Sequence, residues 1–444
     1  MRYVSAGDFK EIIKAVSEKK LKDFLSFPRG YQLTAEQLTE LANVLSTDTS
    51  LESLILTDKQ IGDAGVAKLA EALKTNQGLR KLNLSNNNIS EAGAAKLAEA
   101  LQTNTNLQDL GLDGNQIGNA GATQLATVLQ TNTSLLSLDL ASNGIGNPAA
   151  AAFAAALQTN TSLQDLRLDY NPIGDVGATQ FAMALRTNTS LLVLHLGGGP
   201  GIGDVGATQL AITLQTNRSL TGLALKHTDI GDAGATQLAE AIRTNTHTGL
   251  SILVLCNAKI GDAGATQLAR ALQTNTSLQR LDLSLNGIGK PAVAAFAAAL
   301  QTNTCLQELV FFPSQLISIQ IRIRIALNKR TLSIRRVHYS GIGILVAFAR
   351  ANATKVEALA QASDKPAEAK AAEAKKSDGS KADSKDSKKV LHIHTTSILP
   401  LIPYIQTMAG FREDDFGFRT IPKEKMDEFL ANPNPNPKPK LVSG

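Results

Sequence analysis

The residues best placed to do chemistry are aspartates that return at matching offsets. Asp109, Asp113, Asp139, Asp165 and Asp169 stand between and just after strand leucines, with Arg167, Tyr170 and His195 among them. Such alternation puts the polar side chains on one side of short strands and the leucines on the other. Five carboxylates against one guanidinium make a patch of net −4 from these charged residues, suited to a basic protein surface. A face that only keeps the molecule hydrated would have a similar composition. No catalytic set accompanies the patch. His195, His227 and His247 fall in different repeats, with no serine or cysteine nucleophile paired to them. Cys256 and Cys305 lie nearly two repeats apart, too far to bridge easily, and read as reduced thiols. His392-Ile-His394 could offer two imidazoles to a metal, but zinc takes three or four ligands and no further ligand is spaced to complete the site. Asn286-Gly-Ile-Gly-Lys290-Pro hints at a phosphate loop, yet its spacing is wrong and a proline follows the lysine. The expectation is a non-enzymatic chain with no metal and no cofactor.

What positions these side chains is a 28-residue unit. Copies start at Leu51, Leu79, Leu107, Leu135, Leu163, Leu191, Leu220, Leu250 and Leu278, and a broken copy starts at Leu306. A repeat of this length predicts a solenoid in which each unit buries its apolar face against its neighbours. Within a unit the period changes. Leu79, Leu82 and Leu84 have the spacing of a short strand, whereas Ala235, Leu238, Ala239 and Ile242 share one helix face. Asp63, Ser90, Asn119, Asn147, Asp175, Asp204, Asp232 and Asp262 stand where the helices open and are good N-cap types. Lys290 replaces the cap in the ninth unit, so a weaker helix start is expected there. Asn76, Asn104, Asn132, Asn160, Asn188, Asn217, Asn245, Asn275 and Asn303 close the helices, a place where asparagine tolerates a left-handed turn. A second set, Asn87, Asn115, Asn143, Asn171 and Asn286, can bond the backbone of adjacent turns as an inner ladder, which Lys59, Thr228 and Ala258 break. Gly197 to Gly201 stands where the sixth unit should carry that asparagine, with one residue inserted, and predicts changed curvature or a small protrusion unless the loop absorbs it.

Strands stack about 4.8 Å apart and helices need roughly 8–10 Å, so the expected fold is an α/β horseshoe with a parallel concave sheet and convex helices. The phrase Asn-x-Ile-Gly-Asp-x-Gly-Ala…Leu-Ala-x-Ala-Leu-x-x-Asn resembles the ribonuclease-inhibitor type of leucine-rich repeat. It looks especially like the repeats of NOD-like receptors and of related proteins from bacteria that live inside other cells. The resemblance covers about residues 51–312 and implies a partner bound on the concave face. It also implies, by analogy, delivery into a host cell. No nucleotide-binding domain accompanies the repeats, so a whole NOD-like receptor is not expected.

The rest of the chain frames this array. Residues 1–50 read as an N-terminal cap, with Phe9, Ile12, Ile13, Val16, Leu21 and Phe24 on one helix and a degenerate half-repeat after it. Residues 313–358 are expected to cap the far end. There Ile317, Ile319, Ile321, Ile323 and Ile325 alternate like a strand, but continuation of the array predicts a helix over 316–327. Residues 359–389 have the composition of a disordered linker, and 390–444 form a tail with an apolar segment that could dock. The formal net charge is +5, yet 320–350 alone holds seven basic residues and no acid. The remainder is therefore close to neutral. That segment supplies the alternative to a protein scaffold: an adaptor for nucleic acid or an anionic membrane surface. The N-terminus lacks a signal-peptide core and no run is long enough to span a bilayer, so a cytoplasmic or host-delivered monomer is the expectation.

Overall fold

The computed structural model describes residues 9–313, except Lys22, Arg29, Pro200 and 245–248, together with the backbone of 321–326 and 331–335. The chain divides into two units, Met1–Ile317 and Ser318–Gly444. In the first, strands β1 Phe24–Ser26, β2 Ser53–Ile55, β3 Lys81–Asn83, β4 Asp109–Gly111, β5 Ser137–Asp139, β6 Asp165–Arg167, β7 Val193–His195, β8 Gly222–Ala224, β9 Ile252–Val254, β10 Arg280–Ile288 and β11 Glu308–Pro313 form a parallel sheet in sequence order. Helix α1 (Phe9–Ser17) precedes the sheet. One helix follows each of the first ten strands: α2 Ala35–Leu45, α3 Gly62–Leu73, α4 Glu91–Leu101, α5 Gly118–Leu129, α6 Asn147–Leu157, α7 Asp175–Leu185, α8 Asp204–Leu214, α9 Asp232–Thr244, α10 Asp262–Leu272 and α11 Lys290–Thr302. This is an open α/β solenoid. Its core is a stack of leucines such as Leu54, Leu82, Leu110, Leu138 and Leu166, all essentially inaccessible to water. Each such side chain contributes about 1.5–3 kcal/mol by burial.

The helix starts differ from the sequence expectation. Ser90 does cap its own helix, accepting from the Ala92 amide. At α6, α7, α8, α10 and α11 the cap position is a glycine with no side-chain cap bond. Except at α11, where it is Lys290, the residue one later is an acid or amide that reaches forward to the next unit's helix. Asp204 Oδ1 accepts from the Gly231 and Gly234 amides at 2.8 and 2.7 Å. Asp63, Asn119, Asn147, Asp175, Asp232 and Asp262 repeat the pattern. The helix dipole favours an acceptor there whichever unit supplies it. Glycine at the second donor lets the carboxylate close in: a Cβ on Gly234 would lie 2.7 Å from Asp204 Oδ1. Where alanine holds that place, the bond stretches to 3.4 Å at Ala149 and 3.3 Å at Ala292. The helix start at Lys290 is held by Asp262 of the preceding unit.

The asparagines closing the helices are not left-handed either. They are buried and point into the stack. Asn76 Nδ2 donates to the carbonyls of Leu45 and Asp48, while its Oδ1 accepts from the amides of Gly78 and Leu79. The same bonds recur through Asn303; Asn245 lies outside the described residues.

Two end segments depart from expectation as well. Helix α1 stops at Ser17, the chain turns through Lys19 at φ 55°, and Phe24 opens β1, which pairs with β2. The helix expected over 316–327 is instead strand β12, Ile321–Ala326, antiparallel to β13, Thr331–Arg335, with Arg322 opposite Arg335 and Ile323 opposite Ile334. Its two-residue alternation prevails over the period of the array. The segments 337–349, 359–389 and 390–444 lie outside the described residues.

Candidate functional site

Each unit presents four positions at and after its strand, and the parallel register lines them up. The first strand position runs Lys81, Asp109, Ser137, Asp165, Val193, and the third runs Gly111, Asp139, Arg167, His195, Ala224. Beyond the strand, backbone bonds link Asn86 to Asp113, Gly114 to Ala141, Ser142 to Asp169, Tyr170 to Gly197, Gly198 to Lys226, and His227 to Cys256. Asp113, Asp169, Gly197, Lys226 and Cys256 thus share one column. Tyr170, Gly198, His227 and Asn257 share the next, and all four have positive φ. Bulky side chains rarely adopt that conformation, and each adds on the order of 1 kcal/mol of strain.

The register brings the expected aspartates onto one face but not into one uniform field. Asp109 pairs with Lys81 Nζ at 2.6 Å. Asp165 takes two bonds from Arg167, Nη2 at 2.8 Å and Nε at 3.1 Å. Asp169 is 5% exposed; its Oδ2 lies 3.0 Å from His195 Nδ1 and its Oδ1 is 3.6 Å from Lys226 Nζ. Asp113 accepts from the Ser85 hydroxyl, and Asp139 accepts from the Ala141 amide at 3.0 Å. Neither of these two makes an ion pair within 4 Å among the described residues. Burial, then the field of Asp113, pushes the Asp139 carboxyl above its ordinary value. Hydrogen bonding to Asp165 raises Arg167 further.

Sequence reasoning missed the partners from units two, seven and eight. Lys81, Lys226, His227 and Asn257 all belong to this surface. The Gly197–Gly198 pair keeps the register of the ladder there. It removes side chains from unit six, so units five and seven meet across it. A Cβ on Gly197 would sit 2.3 Å from the Lys226 carbonyl oxygen, and one on Gly198 would sit 2.6 Å from the Tyr170 nitrogen. Through this gap Lys226 Nζ stands 5.0 Å from the Tyr170 ring centroid, and the His227 ring lies 5.8 Å from the same ring. His227 Nδ1 in turn lies 2.5 Å from Asn257 Nδ2. The signal was available in the repeat alignment: tyrosine and histidine occupy one column on either side of glycine.

Burial and the field of Asp282 push the Cys256 thiol up, which disfavours the thiolate a nucleophile needs. Among the described residues no group of three His, Cys, Asp or Glu could hold a metal ion, and no helix is long and apolar enough to cross a membrane. His392 and His394 lie outside the described residues.

The family model for the Leucine Rich repeat matches at residues 47–70, 75–98, 103–126, 131–154, 159–182, 187–211, 216–239 and 274–297. No curated protein matches the chain. A solved structure of leiomodin-1 actin-binding site 2 is similar over 30% of this chain and 78% of its own, at 24% identity and a TM-score of 0.28. The repeated unit of this chain is a leucine-rich repeat, a class that generally mediates protein–protein interaction and typically serves as a non-enzymatic scaffold.

Proposed function

We propose that the concave face binds a protein partner with a basic surface, through Asp109, Asp113, Asp139, Asp165, Arg167, Asp169, Tyr170 and His195. One observation carries this reading. Asp113 and Asp139 lie in one another's field with no ion pair within 4 Å among the described residues, on the face that also carries Tyr170, 48% exposed. A fold that needed only a hydrated face would gain nothing from holding a carboxyl where its charge is disfavoured. A partner cation would offset that cost and add to the affinity. Asp109 and Asp165 are already paired, so they serve to orient the surface and contribute less attraction.

The test compares proteins captured by the native full chain with those captured by Asp113→Asn/Asp139→Asn. A captured basic partner should associate more slowly with the variant, with a flatter salt dependence, at unchanged thermal stability or slightly raised stability. An unchanged rate and salt slope would reject the acidic face as the binding surface.

A further inference from the structure

We infer that the gap over Gly197 and Gly198 is a receptor for an arginine side chain of the partner, with Lys226 as its resident stand-in. This rests on the concave-face reading above and names the group that the face recognises. The starting point is Asp169. Its Oδ1 is buried and has no hydrogen-bond partner. The nearest cation is the Lys226 ammonium, at 3.6 Å, beyond hydrogen-bonding distance. That ammonium is also 5.0 Å from the Tyr170 centroid. It sits between two attractive groups and satisfies neither fully.

A compact ammonium cannot donate to a buried carboxylate and lie flat on a ring together. A guanidinium can, because it is planar, weakly hydrated and carries five donors. Tyr170 is 48% exposed and therefore has an open side to offer. The Lys226 side chain is 27% exposed on a flexible stem, so its head can leave for water. His195 holds Asp169 Oδ2 at 3.0 Å and fixes the carboxylate so that Oδ1 stays turned toward the gap. Asp139 and Asp113 add a field of the same sign around the site. The incoming arginine donates to Asp169 Oδ1 and stacks on Tyr170, and the Lys226 head moves out to solvent. The left-handed turn that every unit makes at this column, here at Tyr170 and His227, places both rings on it.

The probes are two peptides of equal charge, (Gly-Arg)4 and (Gly-Lys)4, titrated against the full chain by surface plasmon resonance. The arginine peptide should bind about tenfold tighter. Lys226→Ala should widen that preference, because it empties the site while keeping a Cβ. Tyr170→Leu should narrow it to about twofold by removing the stacking face. Thermal melting of each variant checks that the fold is retained. Equal binding of the two peptides by the native chain and by Lys226→Ala overturns the inference, as does a loss of arginine binding on Lys226→Ala. If the peptides bind equally and Asp113→Asn/Asp139→Asn weakens both, the gap is not a receptor but the acidic face remains the binding surface. If neither peptide binds, both readings fall.

Discussion

Units two to five and units six to eight share two polar ladders and differ in a third. The forward-reaching side chains run from Asn119 in unit three through Asp262 in unit eight, while Glu91 in unit two makes no such bond among the described residues, and the helix-end asparagines run through both regions wherever they are described. The inner ladder does not. In units two to five Asn87, Asn115, Asn143 and Asn171 each accept from amides of the unit before and donate to its carbonyls. In unit six that place is Gly199. In unit seven Thr228 bonds only its own Leu225 carbonyl, and in unit eight Ala258 has nothing to offer; the ladder resumes at Asn286. The interrupted stretch is the one that carries Lys226, His227 and the gap. The helix side of the molecule keeps its clasps where the strand side gives them up. Backbone cohesion has been exchanged there for a surface with exposed chemistry.

The sharpest way to break this comparison is to cut the ladder where it is intact. Asn143→Ala should cost about 2–3 kcal/mol, because it removes at one buried position the bonds to the Leu112 and Ala141 carbonyls and the bond from the Ile117 amide. Thr228→Ala should cost about 1 kcal/mol or less, since one local bond is lost. Chemical denaturation of both variants measures the ratio, and equal costs would erase the distinction between the regions.

Next in size is Asp204→Ala, expected to lose about 1–2 kcal/mol by uncapping α9 from outside its own unit. Hydrogen exchange should locate the lost protection in the first turn after Asp232, not after Asp204. Protection lost at α8 alone would mean that the forward bond is incidental.

Ala258→Asn should sharpen the comparison from the other side. An asparagine there can accept from the amides of unit seven as Asn286 does from unit eight, for a gain of about 1 kcal/mol. Amide exchange in 220–235 should slow. In the native chain the amides of 195–244 should exchange faster than those of 80–190, and uniform protection would count against a weakened stretch.

The smallest effect is Asp139→Asn. Burial, with the field of Asp113, raises the folded-state value above the ordinary 3.8, so the native state binds more protons than the unfolded chain between the two values. Stability therefore falls as pH rises through that interval, and the native carboxylate is a cost above it. The amide variant keeps the bond from Ala141 and should melt slightly higher at neutral pH. The difference should close below the ordinary carboxylate range. A variant that melts lower at pH 7 would show that Asp139 contributes stability as an anion.

The strands were legible because L-x-x-L-x-L has only one way to bury its leucines, and the helices because Ala235, Leu238, Ala239 and Ile242 share a face. The partner of each clasp was not legible. Asp63 or Asn76 has the right type for a cap of its own helix, and nothing in a linear sequence says that its bond goes to the neighbour one unit away. The same blindness hid the ion pairs. Counting Asp109 and Asp165 as free charge ignored Lys81, one unit back, and the stacked geometry that folds Arg167 onto Asp165. Gly197 and Gly198 carried the strongest overlooked signal, because a missing side chain matters only through what it lets its neighbours reach.

The forward-reaching aspartates have a consequence for how such a molecule can change over generations. Aspartate to glycine amide spans 27 and 30 residues at Asp204, and the helix-end asparagine reaches back 28 and 31 at Asn132. Most units thus carry half of two fasteners, one facing each way; Glu91 in unit two and Lys290 in unit nine stand where the forward half would be. Duplicating or deleting a whole unit restores every match. Gaining or losing half a unit leaves a helix start and a set of buried carbonyls without mates. Extra residues survive where they fall outside the fasteners: one around Gly201 and two in 246–249 lengthen the spans to 28 and 33 while the bonds stay at 2.8 and 2.7 Å. Lineages of this chain should therefore differ in length by whole 28-residue steps, decorated by small loop insertions.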